Sequence, residues 1–292
     1  MKTKRPLEIV PWEAIDAYRG IIPAELRDPS NDIRRSAVCL AVSELWNPIG
    51  AAIGVRDAED DAGHVLWLYV RPEHRRQGVA TTLLEGLEAE LAERGCRSLV
   101  LGYPRSGETA LDAWLAAEGW DTERSYVVAV GNADGLQSRW LRRTSLPPWL
   151  TAFPWSDLTD ADRDWIERRR QNGWFPEALD PFLREDWIDA PTSFGLRFAD
   201  EVVGWIVNHR IDDRRLRVAR FFVSREPLVR GHGLALLAQS MHLAIERAPD
   251  TLIEFRVHPE NRSMLAFLRR LRPHLLEHYD HINATKEIRV GR

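Results

Sequence analysis

The chain has 292 residues, and its 40 Lys and Arg against 44 Asp and Glu give a net charge of -4, which removes the global electrostatic case for a nucleic-acid coat or a membrane-surface protein. Hydrophobic residues at 44% and charged residues at 29% describe a globular chain long enough for two cores, not a disordered one. Two cysteines, Cys39 and Cys96, are too few for a disulfide framework or a Cys-rich zinc site. Together with the absence of a leader-like apolar start and of any run of ~18 apolar residues, they point to the cytoplasm and to no membrane association.

In chain order, 37–42 and 49–53 read as a strand pair, followed by a buried strand at 65–70 bounded by charged turns. After a Gly-containing loop, Val79, Leu83, Leu84, Leu87 and Leu91 recur at helical spacing, with Gly95 as the stop and a further strand at 99–103. The pattern breaks between Asn132 and Pro148, which predicts an N-terminal domain over 1–134, a linker over 135–148 and a C-terminal domain over 149–292. Beyond the break come an amphipathic helix over 160–170, strands at 193–198, 202–207 and 218–223, a loop, a helical stripe (Leu234, Leu237, Met241, Ala244, Ile245) ended by Pro249, and a strand at 252–256. The two halves are a divergent repeat. At a constant shift of 153, Val65 to Ala80 falls on Val218 to Gly233, and Val10-Pro11-Trp12 is echoed by Phe153-Pro154-Trp155.

The loop after each buried strand is where chemistry is expected. The first amides of a helix have no internal partners and lie at the positive end of its dipole, so a glycine that lets the backbone approach makes an anion cradle. Gly78 and Ala80 keep the first loop small, while His74, Arg75 and Arg76 add charge suited to a diphosphate.

Arg75-Arg76-Gln77-Gly78-Val79-Ala80, set between strand and helix, resembles the pyrophosphate loop of the GCN5-related N-acetyltransferases (GNAT). The second copy keeps Gly231 and Gly233 but has Leu228 where Arg or Gln is expected, and His258 to Leu268 is similar to the family's Asn-containing helix after the fifth strand. The resemblance implies two tandem α/β (α+β) domains, each a mostly antiparallel mixed sheet with splayed central strands flanked by helices. It also implies transfer of an acetyl or other acyl group from acyl-CoA, with no metal, to the amine of a small molecule. By the same resemblance, CoA contacts fall on Leu68, Tyr69, Val70, Arg75, Arg76, Gln77, Gly78, Val79, Ala80 and Thr81 in the first half. In the second they fall on Phe222, Val223, Arg230, Gly231, His232, Gly233 and Asn261.

The Tyr often used by the family as acid is Leu115 in one half and Leu268 in the other. Tyr103 and Tyr126, both near predicted strand ends, are the substitute acids, with Tyr103 preferred, and Glu254 and His258 are the candidate bases. A carboxylate on an alternating strand such as Glu254 can equally point to solvent. The missing Tyr leaves open a non-catalytic acyl-CoA-binding or scaffolding protein. The Arg clusters at 139–143, 168–170 and 214–217 leave open a carrier-protein-linked or tRNA-linked donor. His274, His278 and His281, spaced i, i+4 and i+7, read as a solvated helix end rather than a metal site. The density of Trp between 140 and 187 suggests an aromatic wall for the acceptor.

Overall fold

The computed structural model describes residues 6–28, 36–57, 61–107, 109–132 and 144–288. Contacts divide the chain into two compact units, Met1–Arg124 with His281–Arg292, and Ser125–Asp280. This differs from a cut along the sequence at 135–148. Residues 125–131 belong with the second unit and residues 281–288 with the first, so each unit takes one strand from the other half of the chain.

In the first unit the strand order is β1 (Leu7–Ile9), β2 (Ala37–Glu44), β3 (Asn47–Arg56), β4 (Ala62–Val70), β5 (Ser98–Arg105), then the His281–Glu287 part of β12 (Leu275–Glu287). The pairings from β1 to β4 are antiparallel, and β4 with β5 is parallel. Helix α2 (Val79–Glu93) lies on one face, burying Val79, Leu83, Leu84, Leu87 and Leu91 against Val38, Leu40, Val65 and Leu99. Full burial of each such Leu contributes about 1.5–3 kcal/mol. Val10, Ile15, Ile21 and Ile22 cover the other face, ahead of the short helix α1 (Ala24–Arg27). Ile282, Ala284 and Ile288 join the α2-side core, together with Leu115 of α3 (Ala110–Ala117).

The second unit repeats the plan with the order β6 (Asp121–Gly131, from Ser125 on), β11 (Leu252–Val257), β10 (Arg215–Val223), β9 (Glu201–Arg210), β8 (Phe194–Phe198), β7 (Leu150–Pro154). Here β10 with β11 is the parallel pair. Helices α5 (Gly233–Arg247) and α6 (Arg262–Leu271) pack on one face. The opposite face carries an aromatic cluster of Phe153, Trp155, Phe175 and Trp205 beneath α4 (Asp160–Gln171). Pro11 and Pro154 each precede a 3-10 turn that begins with a Trp, so the echo at the start of the halves is structural.

Two sequence expectations need correction. The shift of 153 holds for β4 over β10, but α2 begins at Val79 and α5 at Gly233, a shift of 154, and Ala62 faces Ser98 where Arg215 faces Leu252. One extra residue, His232, therefore separates Gly231 from its helix. The His274–His281 segment is not a helix end: a 3-10 turn at Arg272–His274 leads into strand β12, so the i, i+4, i+7 spacing does not gather the rings on one face.

Candidate functional site

In both units the parallel central pair comes apart at an equivalent residue. Strand β4 pairs with β5 only from Ala62↔Ser98 to Val65↔Leu101, yet continues along β3 to Gly50↔Val70. Strand β10 pairs with β11 only from Arg215↔Leu252 to Val218↔Phe255, yet continues along β9 to Gly204↔Val223. The register against the outer neighbour slips at the same place, skipping Leu66 in β4 and Ala219 in β10. An extra residue of this kind twists a strand and ends its pairing on one side. The backbone beyond it, Leu66–Val70 or Ala219–Val223, is left to serve as one side of a cleft for an extended polar chain.

Each open strand runs into the loop below a helix N-terminus. Gly78 is the cap of α2 at φ +82°, no side chain caps the helix, and a Cβ built there would meet nothing within 4 Å. Arg75 donates from Nε to the carbonyl of Val70 at 3.1 Å, tying the loop to the end of β4, while Arg76 and Gln77 are exposed. Ala80 and Thr81 lie in the first turn, where Thr81 donates to Glu118 at 3.0 Å. In the second unit Gly231 also has positive φ, +93°, and open surroundings. There Trp149 donates to the carbonyl of Leu228 at 3.1 Å and stands edge-on to His232 with centroids 6.4 Å apart, and Arg230 is exposed. Both loops thus set a positive-φ glycine with open surroundings ahead of a helix N-terminus, and the second carries Trp149 and His232 beside it.

Tyr103 is 6% exposed and donates to Asp112 at 2.5 Å. Burial and that bond push its pKa up to about 12, so it stays protonated with its proton committed. Tyr103→Phe is expected to cost about 1 kcal/mol and lower Tm by about 2–4 °C. A collapse of kcat with unchanged Tm would instead reinstate it as an acid.

Glu254 does not point to solvent. It is 2% exposed and accepts from Arg215 at 3.1 Å, Arg217 at 2.7 Å and Arg256 at 2.6 Å. Burial alone would raise its pKa, but Arg256 and Arg217 more than offset this and hold it below the usual carboxylate range. His258 is exposed at the end of β11, its Nδ1 accepting from the Glu260 amide at 3.3 Å. Asn261 caps α6 by accepting from the Met264 amide at 3.1 Å. Leu115 and Leu268 are fully packed core residues.

The Arg clusters are largely engaged within the second unit: Arg169 lies over Trp165 and Trp174, Arg170 pairs with Glu167 and Asp180, and Arg215 and Arg217 pair with Glu254. Residues 139–143 lie outside the described residues. Of the Trp-rich stretch, Trp174 packs into a cluster with Phe175, Trp205 and Phe222, facing the open half of β10. No helix among the described residues is long and apolar enough to cross a membrane.

Sequence reading missed Arg220 and His209. Both lie on the α4 side of the second sheet, on β10 and β9, and both carry a buried nitrogen without a partner, Arg220 Nε and His209 Nε2. The available signal was the repeat itself, which lays the charged Arg220 over Trp67 on an inward-facing strand position.

The family model described as Acetyltransferase (GNAT) family matches residues 8–114 and again 154–272. A mycothiol acetyltransferase of Clavibacter sepedonicus is 30% identical over 233 residues, covering 77% of this chain and 73% of that protein. A second, from Clavibacter michiganensis, is 29% identical over 237 residues, 76% of this chain and 72% of that one. Among solved structures, a tandem GNAT protein from the clavulanic acid biosynthesis pathway superposes with a TM-score of 0.67 at 15% identity, over 98% of this chain and all of that one. A GCN5-related N-acetyltransferase from Sphaerobacter thermophilus gives 0.65 at 17% identity, over 100% and 98%. With two family matches, one in each copy of the repeat, the chain belongs to the GNAT acetyltransferase family as a tandem.

Proposed function

We propose that the protein transfers an acetyl group from acetyl-CoA to the amine of a small molecule. The observation that carries this reading is the matched pair of open strands, each released at the same bulged position and each leading to an uncapped helix N-terminus behind a positive-φ glycine. Acetyl-CoA supplies an activated acyl thioester. In the first unit Gly78 and the amides opening α2, with Arg75 and Arg76 beside them, are suited to hold its diphosphate. The free edge of Leu66–Val70 is suited to align its amide-bearing arm, and an amide near Tyr69 or Val70 to polarise a carbonyl. The second unit offers the same parts around Phe222, Val223 and Gly231.

An alkylamine has an unperturbed pKa near ~10.4 and must shed a proton before attack. Glu254, held ionised by three guanidinium groups, is a poor recipient; the exposed imidazole of His258 is the better placed of the two candidates. The relatives' name adds a mycothiol-type acceptor to the small amines worth assaying.

The test is release of free thiol from acetyl-CoA across an amine panel, with the acetylated product identified by mass. Amine-dependent release at least ~10-fold above the hydrolytic background is expected. Acetyl-CoA binding without release for any amine would favour a non-catalytic acyl-CoA binder.

A further inference from the structure

We propose that the second unit holds an acceptor that carries a carboxylate as well as its amine, and that Arg220 and His209 bind that carboxylate. The inference rests on the acetyl-transfer reading above and names the acceptor class and the unit that takes it.

A polar nitrogen removed from water without a partner is costly, and a native site that keeps one is usually completed by something else. His209 is 4% exposed with Nε2 unpartnered, and Arg220 Nε is likewise buried and unpartnered. Arg220 donates only from Nη1, to the carbonyl of its neighbour Ala219 at 2.9 Å, and it forms no ion pair among the described residues. The register places the two on one face. Arg220 is opposite Val207, and His209, two residues along β9, is opposite Arg217. Arg220 is the first residue past the bulge, where β10 has left β11, so it borders the open cleft.

The buried carboxylates nearest the pair are engaged elsewhere. Glu254 is saturated by Arg215, Arg217 and Arg256. Asp180 is within electrostatic reach of Arg220, but it accepts from the Phe182 amide at 2.9 Å and pairs with Arg170 at 3.5 Å. Asp186 favours a charged His209, whereas burial, Arg220, Arg217 and Arg184 oppose it and keep the imidazole neutral. A neutral ring with one N–H to give, beside one unpaired guanidinium, matches a monoanion. A dianionic phosphate would ask for more charge than the pair supplies. Trp174 and Phe222, 4.9 Å apart, and Trp187, edge-on to His209 at 6.2 Å, supply apolar surface for the rest of the molecule.

The first unit provides an internal comparison. Arg220 corresponds to Trp67 at the shift of 153, and His209, which pairs with Arg217, corresponds by strand pairing to Val55, which pairs with His64, a shift of 154. Trp67 stacks on Tyr69 and donates to the carbonyl of Ile21 at 2.9 Å. At this position the first unit is apolar and satisfied, although His64 farther along the same face keeps a buried Nε2, 3.6 Å from the Asp57 carboxylate. The same fold with the same bulge thus closes this position in one unit and leaves it charged and unpartnered in the other.

The test is calorimetric binding to the full chain in saturating CoA, using the proteinogenic amino acids and, for each, the matching carboxamide. At least one acid is expected to bind ~10-fold or more tightly than its amide, and Arg220→Gln to abolish that preference while leaving the amide's affinity unchanged; Arg220→Lys should keep part of it. His209→Gln should weaken the acid selectively. Equal binding of every acid and its amide, or no binding of any acid, overturns the proposal on the unmutated protein alone. So does a folded Arg220→Gln that keeps the preference. Selective binding of an acid by a protein that neither binds nor consumes acetyl-CoA would uphold the carboxylate site and overturn the transfer reading instead.

Discussion

Gly78→Glu is expected to weaken acetyl-CoA binding at the first unit by about 100-fold or more. The residue has φ +82°, where an L side chain costs about 1–2 kcal/mol, and it caps a helix whose first amides have no side-chain partner. Part of the effect is conformational and falls on folding as well as binding. Gly78→Ala isolates that part, because an added Cβ meets nothing within 4 Å. The rest is electrostatic. A carboxylate at the loop repels the diphosphate and competes for the same amides, and each tenfold loss corresponds to about 1.4 kcal/mol. Calorimetry on the wild type, Gly78→Ala, Gly78→Glu and Gly231→Glu therefore reads out both mechanism and place. Loss with Gly78→Glu alone assigns the donor to the first unit, where Arg75 ties the loop to Val70. Loss with Gly231→Glu alone assigns it to the second. A folded wild type that binds no acetyl-CoA overturns the donor reading in both.

Local signals carried most of the architecture. Periodicity separated the strands from the helices, and the repeat marked the two copies of the loop, because both are written in residues near one another in sequence. The strand exchange was not legible. Nothing local in Ser125–Gly131 or His281–Glu287 distinguishes pairing within its own half from pairing with the other, since β-strand alternation specifies a face and not a neighbour. Bulges were hidden for a similar reason. Leu66 and Ala219 are ordinary strand residues, and only the register against β3 and β9 shows that each has been skipped. The loop glycines were identified from spacing because φ above zero restricts residue type. Tyr103 and Glu254 were harder, because their partners Asp112, Arg215, Arg217 and Arg256 come from different elements.

Glu254→Gln is expected to destabilise the second unit by about 2–4 kcal/mol. Breaking a buried pair by removing one partner typically costs about 3–5 kcal/mol, and the lower range follows because the three arginines stay partly exposed, with side-chain exposures of 29% for Arg215, 20% for Arg217 and 40% for Arg256. Gln keeps the shape but turns one carboxylate oxygen into an NH2 donor, so the charge and one acceptor for the arginines are lost together. The pH dependence has a definite sign. Glu254 has a depressed pKa in the folded protein, so its contribution is fully present above the ordinary Glu value of about 4.3 and disappears as pH falls through the folded value. Denaturant unfolding at pH 7 and in acid should therefore show the wild type and Glu254→Gln far apart at neutral pH and converging at low pH. A catalytic base would behave otherwise: the variant would lose kcat with little loss of stability, and the rate profile would lose an acidic limb. The three guanidinium groups decide between these outcomes in advance. A carboxylate that they hold ionised gains little by taking a proton from an amine, whereas its removal leaves three cations crowded on one face of the sheet beside the unpaired Arg220.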